Sequence, residues 1–277
     1  MEIKKIYKKI YYGLLKRNFR YISSPFRMLP EFIIIGAVRC GTTSLYYNIC
    51  EHPKILSASY DEIGFFDVNY DLGINWYRSM FPIKSRNNLS ERYLTGEDTP
   101  FYFWSEVAAK KIKKDIPNVK LITILRNPVD RTYSNYNLGV RGGTENLSFE
   151  EAIDIEIDAL EKIEITRKNL VNLCTNPRSY VIKSMYYEQM KIWTESISKN
   201  NLFVTNTERM LENPVKVLEN IFEFLEISPY IIKNPQKRKN VKYSDMTNKT
   251  RKKLIEFFKP HNEQLYKLIG QEFKWDI

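Results

Sequence analysis

Short apolar runs alternate with segments of helical periodicity along most of the chain. The run at residues 32–35, Phe-Ile-Ile-Ile, is typical of a fully buried parallel strand, and the β-branched run at 119–125 is a second one. Three further strands are predicted at residues 54–58, 93–96 and 202–205. The pattern predicts an α/β fold, with helices flanking a parallel sheet of the phosphate-loop type.

The predicted helices fill most of the intervals between these strands. Asn127-Pro128 supplies an N-cap followed by proline at the first helical position, so a helix begins directly after the second strong strand. The other predicted helices span residues 42–50, 74–81, 106–115, 148–167, 179–199, 214–225 and 247–269. No internal repeat or low-complexity linker divides this pattern, and 277 residues suit one domain.

The first 20 residues mix Ile, Tyr and Leu with seven cations: Lys4, Lys5, Lys8, Lys9, Lys16, Arg17 and Arg20. We expect a basic helical extension over residues 1–30, before a domain over residues 31–277. Two interpretations of the extension stay open. It is either a peripheral contact with a membrane surface or a solvated helix packed on the edge of the domain.

Charge and cysteine content restrict the function only coarsely. The chain has 43 Lys and Arg against 33 Asp and Glu, a net charge of +10, which favours anionic ligands without choosing among phosphates, nucleic acid and acidic glycans. Three cysteines without Cys-x-x-Cys spacing, and only two histidines, predict reduced thiols and no zinc site. No apolar run reaches the roughly 18 residues of a membrane-spanning helix, so we expect a cytoplasmic protein.

A glycine-bounded segment links the first strand to the first helix. Gly36 and Gly41 permit a tight turn, and the helix N-terminus presents backbone N–H groups to an anion. The segment is not a nucleoside-triphosphatase loop, because Thr42 stands where that motif needs lysine. Its cation comes earlier, as Arg39, and the 119–125 strand leads into Arg126 rather than a magnesium-binding aspartate.

Two segments together identify a family resemblance. Residues 32–46, reading FIIIGAVRCGTTSLY, and 125–136, reading LRNPVDRTYSNY, resemble the 5′-phosphosulfate and 3′-phosphate motifs of sulfotransferases of the heparan-sulfate and bacterial type. These enzymes use 3′-phosphoadenosine 5′-phosphosulfate (PAPS), release 3′,5′-adenosine bisphosphate (PAP) and need no metal. The resemblance implies cofactor contacts from Arg39, Cys40, Gly41, Thr42, Thr43, Ser44, Arg126, Ser134, Tyr186, Lys239 and Lys242.

The same resemblance implies two catalytic residues. Glu62, in the segment Asp-Glu-Ile-Gly-Phe-Phe, matches the family's general base, and Arg39 stands where most relatives carry a catalytic lysine. The segment departs from the family pattern at Asp61 and Ile63, which replace lysine and proline. A second carboxylate therefore lies beside the expected base, so substrate contacts differ from those of the family.

The acceptor is less defined by the sequence. Glu97 and Tyr102, in a segment resembling the wall of the family's acceptor cleft, are predicted to contact a small-molecule or carbohydrate acceptor at a hydroxyl or amine. Asp98 stands where relatives often carry lysine, which argues against a polyanionic acceptor. The dispersed aromatic residues and missing recognition motifs predict no nucleic-acid binding, and the oligomeric state is undetermined.

Two alternatives to a sulfotransferase stay open at this point. One is a kinase of the phosphate-loop type with an atypical loop, which would use ATP and Mg²⁺. The other is a non-catalytic protein that binds nucleotides or polyanions through the same fold.

Overall fold

The computed structural model describes residues 20–84, 92–235 and 244–275. Its centre is a parallel sheet of five strands in the order β2–β3–β1–β4–β5. The strands are β1 Phe32–Gly36, β2 Ile55–Ser57, β3 Leu94–Asp98, β4 Lys120–Leu125 and β5 Leu202–Asn206. The predicted α/β class is confirmed, with helices flanking a parallel sheet in a single domain.

Helices connect the strands and cover the sheet. Those discussed below are α1 Thr42–Cys50, α2 Ile74–Arg78, α3 Glu106–Asp115, α4 Pro128–Arg141, α5 Phe149–Leu160, α6 Arg167–Thr175, α7 Tyr186–Ser196, α8 Thr207–Glu212, α9 Pro214–Phe224 and α10 Asn248–Ile269. In the part of the chain that the structure describes, none of the helices has the length and apolar character that crossing a bilayer requires.

Three predicted helices are shorter than the sequence pattern indicated. The helix predicted over 74–81 ends at Arg78, the one over 148–167 ends at Leu160, and the one over 179–199 spans only Tyr186–Ser196; α6 was not predicted. A new helix, α6, starts at its own capping box, in which the Asn169 side chain accepts the Thr166 N–H at 2.8 Å. Ahead of α7, the Glu156 carboxylate accepts the backbone N–H groups of Tyr180, Val181 and Ile182 at 2.6–3.0 Å.

The central strand of the sheet, β1, is buried along its whole length. Phe32 to Ile35 are completely buried, as their continuous apolar run predicts for a strand covered on both faces. The helical layers are joined to the sheet by specific contacts. The indole of Trp193, in α7, donates to the Phe103 carbonyl at 2.8 Å and fixes that helix against the segment that follows β3.

The carboxyl ends of the strands share one edge of the sheet, since all five are parallel. Strand β1 lies between β3 and β4, so the segments that follow these three strands are neighbours. This edge brings together the loop after β1, the acidic end of β3 and Arg126 after β4. Ligands of open parallel sheets bind in this position.

Candidate active site

The loop between β1 and α1 has the backbone of an anion-binding turn. Gly41, the N-cap of α1, has φ 93°, and no side chain of the described chain caps this helix. The first N–H groups of α1, from Thr42, Thr43 and Ser44, therefore lack helical partners and carry the positive end of the helix dipole. A side chain at Gly36 would clash, because a Cβ there would lie 2.5 Å from the Phe103 Cβ.

The loop is held from beneath by two side chains that sequence reasoning missed. Arg131 is completely buried and donates from Nε to the Val38 carbonyl at 3.0 Å. The Thr207 hydroxyl lies 2.7 Å from the Cys40 carbonyl and 2.9 Å from the Leu125 carbonyl, so it joins the ends of β1 and β4. Arg131 was within the recognised motif, whereas Thr207, 167 residues from Cys40, had no sequence signal.

The second anion motif adjoins the first. Arg126 follows β4, and its Nη1 is buried without a hydrogen-bond partner among the described residues. Asn127 caps α4 by accepting the Val129 N–H at 3.0 Å, and Ser134 lies in the middle of this helix, 1% exposed. The guanidinium of Arg39 donates to the Ser134 hydroxyl at 3.2 and 3.3 Å. The structure thus brings Arg39 and Ser134 together across 95 residues.

Tyr186 and Cys40 lie under these loops. The Tyr186 hydroxyl donates to the Arg126 carbonyl at 2.9 Å and lies 3.5 Å from the Cys40 sulfur. Both side chains are completely or almost completely buried, and the Cys40 N–H bonds to the Ala37 carbonyl at 3.2 Å. Both side chains support the loops after β1 and β4 from the interior. Their direct contact with a nucleotide stays a prediction.

Glu62 lies on the opposite side of the loop, beside the end of β3. Its N–H donates to the Asp98 carbonyl at 3.0 Å, and its φ of 50° is unusual for a residue with a side chain. Partial burial, and next the charge of Asp61, raise the pKa of the Glu62 carboxyl. An acid with a raised pKa in a strained backbone conformation is a suitable proton acceptor for an incoming hydroxyl.

The side chains of Glu97 and Tyr102 lie in the interior of the protein and not at the surface where an acceptor would bind. Both side chains are completely buried, and the Glu97 carboxylate accepts the hydroxyls of Tyr77 and Thr99 at 2.6 Å. Burial raises the pKa of Glu97 to about 7, against the effect of these hydrogen bonds. Neither side chain reaches the surface, so their contact with an acceptor stays a prediction.

The same network fixes the loop that carries Glu62. Thr99 accepts the Gly64 N–H at 3.2 Å, and the Tyr102 hydroxyl accepts the Phe66 N–H at 3.1 Å. The hydroxyl groups of Thr99 and Tyr102 both donate to the Glu97 carboxylate, at 2.6 and 3.4 Å. Glu97 thus positions the backbone that follows Glu62. Two other predicted cofactor residues, Lys239 and Lys242, lie outside the described residues, as do residues 1–19 of the predicted N-terminal extension.

Most of the chain is similar to sulfotransferases of known sequence. The family model for the sulfotransferase domain matches residues 29–275. The membrane-associated sulfotransferase kil1 of Dictyostelium discoideum is 27% identical over 89% of this chain and 66% of its own length. The human bifunctional heparan sulfate N-deacetylase/N-sulfotransferase 2 is 28% identical over 88% of this chain and 30% of its own length. The chain thus spans less than two thirds of either relative.

A solved structure shows the same fold. The sulfotransferase from Alicyclobacillus acidocaldarius superposes with a TM-score of 0.69 at 26% identity, covering 90% of this chain and 100% of that one. The residues that the family model matches, 29–275, include the loop after β1, the segment after β4 and the loop of Glu62. The chain therefore belongs to the sulfotransferase family.

Proposed function

We propose that this sulfotransferase transfers the sulfuryl group of PAPS to a hydroxyl or amine of a small-molecule or carbohydrate acceptor. The observation that carries the proposal is the hydrogen bond between Arg39 and Ser134, which makes the two predicted anion sites direct neighbours. A nucleotide with phosphates at both its 5′ and 3′ positions matches two adjoining anion sites better than a linear triphosphate does.

The residues at the carboxyl edge of the sheet fit such a donor. The first amides of α1 and the Arg39 guanidinium suit the 5′-phosphosulfate, since helix N-termini and arginine both bind oxyanions. The Arg126 Nη1, buried without a partner among the described residues, suits the 3′-phosphate together with Ser134. A buried guanidinium N–H without an acceptor is costly, and a phosphate oxygen would satisfy it.

The proposed reaction is an in-line displacement at sulfur. The acceptor oxygen or nitrogen forms a bond to sulfur while the bond from sulfur to the bridging phosphate oxygen breaks, and PAP leaves with the electron pair of that bond. Glu62 accepts the proton of the acceptor, and Arg39 stabilises the negative charge that develops on the bridging oxygen. Glu62 lies on the β3 side of the loop and Arg39 on the side of Ser134, which supports an in-line displacement between them.

Calorimetric titration tests the donor. We expect PAP to bind without Mg²⁺ and much more tightly than ATP, with or without Mg²⁺, because the loop has Thr42 in place of the lysine of a triphosphatase motif. Mg²⁺-dependent binding of ATP that exceeds the binding of PAP would support the kinase alternative instead. Binding of PAP without transfer from PAPS to any acceptor would support the non-catalytic alternative.

We also propose that the basic N-terminal segment brings the enzyme to a membrane surface from the cytoplasmic side. Three large apolar residues are exposed where the described chain begins: Tyr21, Ile22 and Phe26, with exposed fractions of 50%, 76% and 69%. Apolar side chains beside clustered cations are typical of contacts with anionic lipid. Sedimentation with anionic vesicles, lost on removing residues 1–20 and absent with neutral vesicles, is the expected result.

A further inference from the structure

Three carboxylates border the side of the phosphate loop that faces away from Arg126. They belong to Asp61 and Glu62, on the loop after β2, and to Asp98, the last residue of β3. The Glu62 N–H and the Asp98 carbonyl are joined at 3.0 Å, and the Asp61 carboxylate accepts the Tyr47 hydroxyl of α1 at 2.7 Å. Asp61 is exposed and Glu62 is partly exposed, whereas Asp98 is completely buried beside them.

Asp98 is buried without a compensating partner among the residues that the structure describes. Among the described residues, neither carboxylate oxygen has a hydrogen-bond partner. Burial, followed by the charges of Asp61, Glu97 and Glu62, raises the pKa of Asp98 to about 8, and the Thr43 side chain opposes this rise without reaching hydrogen-bond geometry. The other titratable groups that Asp98 affects are on α1: Tyr46, Tyr47 and Cys50. None of the groups with the largest effect on its pKa is a cation.

The charges around the phosphate loop are therefore separated into two sides. The described guanidinium groups of the site, those of Arg39, Arg126 and Arg131, lie at the β1 and β4 ends. The carboxylates lie at the β3 end, where the acceptor must approach the proposed base Glu62. In a chain with a net charge of +10, the carboxylates of Asp61 and Glu62, without described cationic partners, act against anionic ligands at this subsite.

We infer that the acceptor is a hydroxyl compound that also carries a protonated amine, which binds at the exposed carboxylate of Asp61 with the buried Asp98 behind it, while Glu62 deprotonates the hydroxyl. The inference rests on the proposed function and adds the substrate class. A bound ammonium group would supply the positive charge that the described surroundings of Asp98 lack, and it would favour the ionised form of that residue. Because a protonated amine has no free electron pair, the hydroxyl and not the amine receives the sulfuryl group.

Matched acceptors of different charge test the inference. We would supply labelled PAPS with two triplets that keep their hydroxyl groups: tyramine, 4-ethylphenol and 4-hydroxyphenylacetate, and glucosamine, N-acetylglucosamine and N-sulfoglucosamine. A wider pool of hydroxylated compounds, divided by charge at neutral pH, accompanies them. The expected result is a kcat/KM at least about tenfold higher for the cationic member than for the neutral one, with the anionic member slowest.

Variants assign the preference to the two aspartates. In Asp61→Asn and in Asp98→Asn, the ratio of cationic to neutral kcat/KM should fall towards one. Asp158→Asn, a charge removal on the exposed face of α5, should keep the wild-type ratio. Asp61 is exposed, so its variant is expected to fold even if replacement of the buried Asp98 affects stability.

The outcomes separate this inference from the proposed function. Labelling of mainly neutral or anionic acceptors, with PAP binding intact, would overturn the inference and leave sulfuryl transfer standing. An unchanged preference in both aspartate variants would overturn it as well. Labelling of no acceptor in any charge class, with PAP binding intact, would count against the proposed transfer and therefore against both.

Discussion

Arg131 donates from Nε to the carbonyl of Val38 at 3.0 Å, so a buried guanidinium on α4 fixes the backbone of the phosphate loop. Its Nη1 donates to the Tyr180 carbonyl at 3.1 Å. The Tyr180 N–H is in turn held by Glu156 at 2.6 Å. A chain of hydrogen bonds thus connects helix α5 to the loop between β1 and α1, and it joins elements that are far apart in sequence.

Replacing Arg131 should loosen this loop. In Arg131→Met, the Val38 and Tyr180 carbonyls lose a charged donor, and hydrogen bonds to charged groups contribute about 1.5–3 kcal/mol each. We expect the affinity for PAP to fall about tenfold or more, together with a lower Tm. Calorimetry and thermal unfolding measure both. Arg141→Met, at the exposed end of the same helix, should change neither, and an unaltered PAP affinity in Arg131→Met would contradict the support role.

Arg126 should recognise the 3′-phosphate specifically. Arg126→Ala removes the guanidinium whose Nη1 lacks a partner among the described residues. We expect its affinity for PAP to fall about tenfold to hundredfold, while the affinity for 5′-AMP, which has no 3′-phosphate, changes by no more than about twofold. Titration of both nucleotides into both proteins gives the comparison. Equal losses for PAP and 5′-AMP would place Arg126 elsewhere in the nucleotide site.

Removal of the proposed base should separate turnover from binding. Glu62→Gln keeps the shape of the side chain and removes its ability to accept a proton, so turnover should fall about 10²- to 10⁴-fold. PAP affinity should stay unchanged, because Glu62 lies beside β3 and the donor residues lie at β1 and β4. Turnover close to that of the wild type would exclude Glu62 as the base.

The pH profile should report the environment of Glu62. Burial, and next the negative charge of Asp61, raises the pKa of Glu62, and the base must be ionised to act. Activity should therefore increase with pH through this raised pKa. In Asp61→Asn one cause of the rise is gone, so the acidic limb of kcat/KM should move to lower pH. Asp158→Asn serves as the control, and a limb that stays in place in Asp61→Asn would mean that another group controls it.

Asp98 should make the folded chain less stable as pH rises. Its pKa is raised from 3.8 to about 8, so the folded state binds a proton that the unfolded state releases at lower pH. The contribution of this proton to stability is complete below the unfolded pKa and is lost as pH rises through about 8. Asp98→Asn, which resembles the protonated acid, should therefore increase Tm relative to the wild type at pH 8–9 more than at pH 5. A Tm difference independent of pH would contradict this assignment.

The sequence predicted the elements that depend on neighbouring residues. The buried run at β1, the glycine at the start of α1, and the Asn127-Pro128 start of α4 are local signals, and each lies where predicted. The parallel sheet followed from the alternation of strands and helices. The motifs also predicted which residues carry charge at the carboxyl edge, because Arg39 lies in the loop after β1 and Arg126 comes directly after β4.

Contacts between residues distant in sequence decided the other features of the fold and the burial of the candidate site residues. The segment before α7 is held by Glu156 of α5, whose carboxylate accepts N–H groups 24–26 residues away. The burial of Glu97, Tyr102 and Tyr186 likewise depends on partners from other elements. The sequence could not show this burial, and the contacts predicted for these residues came from the family resemblance alone. Local propensity acts over one turn or one strand, whereas desolvation and hydrogen bonding depend on what the completed fold packs around a side chain. The sequence by itself therefore determined the sheet and the anion-binding loops, and only the tertiary structure decided which side chains support those loops from within.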